Sequence, residues 1–296
     1  MQYKIFHETT FNYSSSVTFS HNIAKLKPIN NSVQTLLEYS IETSPSQSEI
    51  VEFEDYFGNT SYKIFIKESH EKLVVTAHSI IDLDVAKIKE NIKSYEAINI
   101  TLKELKSHLE NNFDPDVIFV KQFLFASELI DYPEDKIIAY AKQSFEKYDN
   151  IFLAVKDFVN RIFDDFEFVS GFSDISTPIS KIFEAKKGVC QDFATLAIAA
   201  LRALGIPTRY VSGYIRTIPP KGKEKLFGVD ASHAWFSVYL GNYGWIDFDP
   251  TNNKIANEEY IYLGYGRDYN DIAPLKGIVQ GNAISNLCVR VDVSEN

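Results

Sequence analysis

The chain has little of what would make several explanations easy. It holds two cysteines, Cys190 and Cys288, in 296 residues, and a pair this far apart makes neither a disulfide framework nor a C-x-x-C motif. No apolar run approaches the length of a membrane span. The opening MQYKIFHETTF lacks the apolar stretch of a secretory signal. A cytoplasmic location without a membrane partner is therefore expected. Positive charge is also scarce: 30 Lys and Arg against 40 Asp and Glu leave a formal net charge of −10. That excludes nucleic acid as the main partner, since its backbone needs a basic footprint. The one local concentration of cations is a short loop with Lys221, Lys223 and Lys225.

Aromatic residues are plentiful at 14%, with 22 Phe and 17 Tyr, which favours extensive β structure. Residues 1–85 read as an antiparallel β-sandwich domain. YKIFHETTFNY, VQTLLEYSIET, SEIVEFEDYFGNTSYKIFIKE and KLVVTAHSIIDL are β-branched or aromatic stretches separated by Ser, Asn, Pro and Gly. DYFGNT, Asp55 to Thr60, is a predicted hairpin turn. Residues 86–150 are rich in Lys and Glu and read as a helical connecting region. Residues 151–296 read as an α+β core with a C-terminal strand.

Within that core, Phe152, Val155, Val159 and Phe163 recur at helical spacing. STPISKIFEAKKG predicts a further helix, capped by Ser176 or Thr177, with Pro178 at its first position and Gly188 ending it. The run CQDFATLAIAALRALGIP then predicts a helix with an apolar stripe of Phe193, Leu196, Ala197, Ala200, Leu201 and Leu204, stopped by Gly205 and Pro207. Cys190 falls in its first turn, where unpaired backbone N–H groups and the helix dipole stabilise a thiolate or an oxyanion.

A thiolate nucleophile needs an imidazole partner. Of six histidines, only His233 follows Cys190. SHAWFSVYL alternates, with Ala234, Phe236, Val238 and Leu240 on one face and His233, Trp235, Ser237 and Tyr239 on the other. After GNYG, WIDFDPT continues as a strand with Trp245, Asp247 and Asp249 on one face. A three-residue loop, Gly241 to Tyr243, would set Trp235 opposite Asp249. His233 and Asp249 are then diagonal neighbours on one face, roughly 7–8 Å apart at Cα. A carboxylate there would fix the histidine tautomer and stabilise its cation. Asp247 would face Ser237, further from His233, so Asp249 is the expected third member.

GVCQDFATLAIAALRALGIPTRYVSGY followed by DASHAWFSVYLGNYGWIDFDPTNN is similar to the transglutaminase-like superfamily, and most of all to its bacterial cysteine-protease branch. The blocks that carry the resemblance are Cys190 in GVCQD, His233 in SHAW and Asp249 in DPT. The opening YKIFHETTFNY, the DYFGN turn and the closing YGRDYNDIAPLKG resemble that branch too, whose β domain precedes the core. The resemblance implies a papain-like core, with the Cys-bearing helix packed on an antiparallel sheet that carries His and Asp. Two departures stand out. Thr195 occupies a position where members often have His. Both tryptophans, Trp235 and Trp245, lie downstream of the cysteine, whereas animal transglutaminases use an upstream one for the oxyanion. The donor beyond the Cys190 N–H is thus unassigned.

The expected function is a cysteine-dependent amide hydrolase, a peptidase or amidase, acting on a protein or peptide through a thioacyl-enzyme with a Cys190–His233–Asp249 triad. The alternatives are transglutaminase-type acyl transfer to an amine, and an inactive peptide-binding scaffold of the same fold. Gln191 and Trp235 are candidate substrate contacts. Asp192 suits a helix first turn, Arg267 and Asp268 are expected to pair, and Cys288 reads as structural. A zinc site from Cys190, Cys288, His233 and an aspartate lacks the close spacing of metal ligands, and no D-x-D-x-D-G loop suggests calcium. No cofactor or metal is expected, and the oligomeric state is not legible.

Overall fold

The computed structural model describes residues 1–217, 231–281 and 283–295. Lys221, Lys223 and Lys225 lie outside them. The alternating pattern of the first 83 residues becomes six strands: β1 (Gln2–Val17), β2 (Phe19–Ala24), β3 (Gln34–Ser44), β4 (Glu49–Glu54), β5 (Thr60–Ile66) and β6 (His70–Leu83). Helices follow as α1 (Val85–Ser94), α2 (Leu102–Asn111), α3 (Pro115–Lys121), α4 (Asp135–Lys147) and α5 (Ile151–Asp165). Helix α2 begins where Thr101 and Glu104 satisfy each other's backbone N–H groups as a capping box. The core continues through β7 (Glu167–Phe168), α6 (Ile179–Ala185), β8 (Lys187–Gly188) and α7 (Cys190–Ala203). Then come β9 (Thr208–Ile215), β10 (Ala231–Tyr239), β11 (Trp245–Asp249), β12 (Lys254–Ile255), β13 (Tyr260–Gly266) and α8 (Tyr269–Ile272). The chain closes with β14 (Leu275–Gln280) and β15 (Ser285–Glu295).

The architecture is α+β. An antiparallel five-stranded sheet, in the order β12-β11-β10-β9-β13, carries the core. Helix α7 packs against one of its faces, through Phe193, Leu196, Ala197 and Ala200 on the helix and Ala234, Phe236, Val238 and Phe248 on the sheet. The stripe expected on this helix is an understatement: ten of its residues, including Ala194, Ile198, Ala199 and Arg202, are buried. Small alanines let helices and sheet close on it from all sides. Two details differ from expectation in the preceding elements. Phe163 is 47% exposed, off the buried face that Phe152, Val155 and Val159 share. Helix α6 starts at Ile179 with Pro178 as its cap and no side-chain cap bond, because Ser176 and Thr177 donate instead to Asp174. It also ends early, at Ala185, with Lys186 in the left-handed region and Gly188 in a parallel pairing of β8 with β7.

The sandwich is not built from its own segment alone. Its two four-stranded sheets run β15-β1-β6-β3 and β14-β2-β5-β4. The C-terminal strands, expected with the core at 151–296, thus complete the sheets of the N-terminal domain. They cover the edges that β1 and β2 would otherwise expose. Cys288 sits on this far strand, exposed and opposite Thr10.

The hairpin DYFGNT forms, with Gly58 at φ +83° and the Asp55 carboxylate accepting from the Phe57 and Asn59 N–H groups. Its purpose lies in the core. Asn59 and Gln34 each use both ends of their amide on the backbone of β13, at Tyr265 and Tyr262 respectively. These four bonds satisfy an edge strand of the core sheet and lock the two domains together.

His7 sits in the same interface, 1% exposed, with Nε2 2.9 Å from Thr9 Oγ1 and Nδ1 2.9 Å from the Tyr214 hydroxyl. Burial pushes its pKa down to about 4. The unfolded chain therefore takes up a proton near pH 6.5 that the folded one refuses. Stability should fall as pH drops from about 6.5 to about 4, by on the order of 3 kcal/mol. Urea melts across this range should show that slope in the wild type and a flatter one in His7→Gln.

Candidate active site

Helix α7 begins at Cys190 for a local reason. Val189 is extended, and the Asp192 carboxylate folds back to accept its N–H at 2.7 Å. Ser173 Oγ donates to the same carboxylate. Burial raises the pKa of Asp192 against the pull of these two hydrogen bonds. Gly188 makes room for the turn, since a Cβ there would stand 2.8 Å from Asp192 Oδ2. Asp192 is therefore the cap of the helix that Cys190 opens and more than a first-turn charge. The N–H groups of Cys190 and Gln191, at the first two helical positions, have no earlier turn to bond.

The hairpin of β10 and β11 has the register the spacing predicts. Phe236 pairs with Phe248 and Ser237 with Asp247, and Gly241–Tyr243 form the three-residue turn. That places Trp235 opposite Asp249 and His233 one diagonal step away. His233 Nε2 meets Asp249 Oδ2 at 2.7 Å, with His233 7% and Asp249 0% exposed. Cys190 acts on the same imidazole and favours its charged form, and Nδ1 is the ring nitrogen that Asp249 leaves free. Burial opposes charge on His233, but the interactions with Asp249 and Cys190 outweigh it and raise its pKa to about 10. Burial likewise opposes charge on Asp249, yet its bonds from His233, Asn252 and Tyr260 hold its carboxyl below the ordinary value.

Asp249 is more elaborately held than the spacing indicates. Oδ2 also accepts from Asn252 Nδ2 at 2.6 Å and the Tyr260 hydroxyl at 2.7 Å. Oδ1 accepts from the Thr251 and Asn252 N–H groups at 2.8 and 3.3 Å. The turn Asp-Pro-Thr-Asn contains the signal for the backbone pair, because an aspartate before proline bonds its own chain two residues on. Tyr260 arrives from β13, which β10 and β9 separate from the strand of Asp249, and nothing local in the sequence announces it.

Trp235 is corrected as a substrate contact. It is 0% exposed, so its ring is closed to any ligand. Instead it stacks on His233 at 6.0 Å between centroids and meets Tyr260 edge-on at 5.3 Å. Gly213, paired with His233, gives it space: a Cβ there would be 2.6 Å from Trp235 Cη2. Gln191 is half-buried and, with Thr195, Asp192 and Tyr269, lines a cleft of about 260 Å³ along the cysteine helix. Arg267 pairs with Asp271 at 2.9 Å and not with Asp268. The Asp268 carboxylate caps α8 through the Asn270 N–H and accepts from the Leu129 N–H.

Residues 3–82 match the bacterial transglutaminase-like N-terminal region, and residues 138–250 match the transglutaminase-like superfamily core. An uncharacterized protein of Mycobacterium tuberculosis is 34% identical over 304 residues, covering 99% of this chain and 92% of that one. The chain belongs to the transglutaminase-like superfamily. Among solved structures, this transglutaminase-like chain is similar to a protein of Cytophaga hutchinsonii described as a "putative cysteine protease". The TM-score is 0.74 at 25% identity, over 100% of this chain and 91% of that one. A stretch of 71 residues is 35% identical to the protein-glutamine gamma-glutamyltransferase of Pseudomonas aeruginosa, covering 24% of this chain and 11% of that protein. Together these support a cysteine-dependent enzyme. No helix among the described residues is long and apolar enough to cross a membrane.

Proposed function

We propose that this chain is a cysteine-dependent amide hydrolase of the transglutaminase-like superfamily, a peptidase or amidase with Cys190, His233 and Asp249 as its catalytic residues. The observation that carries the reading is a half-buried Cys190 acting on a buried imidazole–carboxylate pair, with the imidazole raised to about 10. The Cys190 sulfur attacks an amide carbonyl as thiolate, at a helix start whose free N–H groups face the developing oxyanion. Protonated His233 then gives its proton to the departing amine, leaving a thioester. Neutral His233 takes a proton from water as that water attacks the thioester, and the thiolate and imidazolium are restored. Asp249 holds the ring with Nε2 as donor and supports its positive charge throughout.

Resolution of the thioester by an amine would make the protein a transglutaminase, and the 71-residue similarity to the Pseudomonas enzyme favours that second reading. Similarity to the Cytophaga protein across the whole chain supports hydrolysis. A peptide-library digest comparing wild type with Cys190→Ala tests the proposal. Fragments should appear with wild type alone. Incorporation of a fluorescent amine into a glutamine-bearing protein faster than hydrolysis would establish amine transfer. Neither product, from a folded wild type, would leave a binding scaffold.

A further inference from the structure

A second polar centre lies on the sheet face that carries His233, away from the cysteine. Arg209, Ser237 and Asp247 stand in one row across β9, β10 and β11, since Arg209 pairs with Ser237 and Ser237 with Asp247. The strands are roughly 4.8 Å apart, so the two charged residues flank a small serine at about twice that spacing. Above this row is a cavity of about 290 Å³, lined in part by Ile88, Ile92 and Tyr95 from the α1 region and by Trp245. The Arg209 guanidinium is clamped between two rings, 3.8 Å from the Tyr265 centroid and 4.3 Å from that of Trp245. Its Nε–H is buried without a hydrogen-bond partner. On the other side, Asp247 accepts from Ser237 Oγ and Trp235 Nε1 on Oδ1, and from the Tyr262 hydroxyl at 3.2 Å on Oδ2. A carboxylate oxygen with one donor has room for another. Arg209 and Asp247 attract each other but form no ion pair within 4.0 Å.

The geometry points to a second binding site, independent of the triad, for a small ligand carrying a carboxamide or peptide bond. Its carbonyl accepts from Arg209, its N–H donates to Asp247, and its apolar body lies against Ile88, Ile92 and the aromatic walls. An anion satisfies Arg209 but faces the Asp247 carboxylate. A cation satisfies Asp247 but faces the guanidinium. An amide bridges both without bringing a charge into a buried space. Burial pushes Arg209 below and Asp247 above their ordinary values, and their mutual attraction opposes both shifts.

Three probes of one shape test this: isovaleramide, isovalerate and isopentylamine. The chain has two tryptophans, and Trp245 lines the cavity, so its indole N–H resonance, assigned with Trp245→Phe, reports occupancy. Isovaleramide should shift it saturably, with the acid and the amine binding about tenfold or more weakly. Arg209→Met should abolish the shift. Should that variant fail to fold, Ile92→Phe fills the cavity from α1, leaves both charged residues in place, and should also abolish it. The rate of Cys190 alkylation by iodoacetamide should be unchanged in Ile92→Phe, which shows that its fold and triad are intact. The proposal is overturned if isovaleramide gives no saturable shift, if isovalerate or isopentylamine binds as tightly, or if Ile92→Phe binds like wild type.

Discussion

Replacing His233 with alanine is expected to lower kcat/KM for an amide substrate by roughly ten-thousand-fold and to slow alkylation of Cys190 at neutral pH toward the rate of an ordinary thiol. Losses of this size are typical when one member of a nucleophile–base unit is removed. The imidazole interacts with the Cys190 sulfur and, at a pKa of about 10, remains a cation through neutral pH. In the proposed mechanism it is therefore the counterion of the attacking thiolate and the acid for the leaving amine. The same value sets the alkaline limb of the wild-type profile: activity should hold through neutral pH and decline as His233 loses its proton near pH 10. Measured kcat/KM from pH 5 to 11, with iodoacetamide rates over the same range, checks both statements. Wild-type alkylation no faster at neutral pH than that of a model thiol, or an unchanged rate in His233→Ala, would contradict the pairing.

Asp249→Asn is expected to harm both activity and stability, and the two effects have separate causes. The carboxylate is fully buried and accepts from five donors. An amide in its place turns one acceptor end into a donor that faces donors. Breaking a buried charged pair in this way costs about 3–5 kcal/mol, which urea denaturation would register. Loss of the negative charge also removes the main support for the imidazolium, so the pKa of His233 should fall and the alkaline limb should move to lower pH. Activity should drop by roughly 10²–10⁴-fold. Tyr260→Phe and Asn252→Ala each remove one donor and should move the limb less. In the wild type, the raised His233 pKa means that its contribution to stability is present below pH 6.5 and is lost as pH rises toward about 10. Asp249→Asn should flatten this dependence.

Much of the site was legible because its signals are local and periodic. A cysteine after a turn and before an apolar run marks a helix start. The alternation of SHAWFSVYL and WIDFDPT, with three residues in the turn, fixes which side chains share a face. Strand period and loop length alone put His233 and Asp249 within reach, and the observed pairing of Ser237 with Asp247 is the register they require. The same alternation could not separate an exposed face from a buried one. Trp235 shares its face with His233 and so suggested a substrate contact, but Tyr260 and Tyr262 from β13 close over it.

What the sequence determined by itself was therefore the order of the groups: cysteine on a helix end, histidine and aspartate on one hairpin, and a β-rich segment before them. Only the tertiary structure decided what surrounds these groups. The Tyr260 bond to Asp249, the clamps of Gln34 and Asn59 on β13, and the return of β14 and β15 to the first domain all join residues far apart in the chain. So does the row of Arg209, Ser237 and Asp247. Strand order is set by which edges and apolar faces can be covered, a property of the whole packed chain that no single stretch carries.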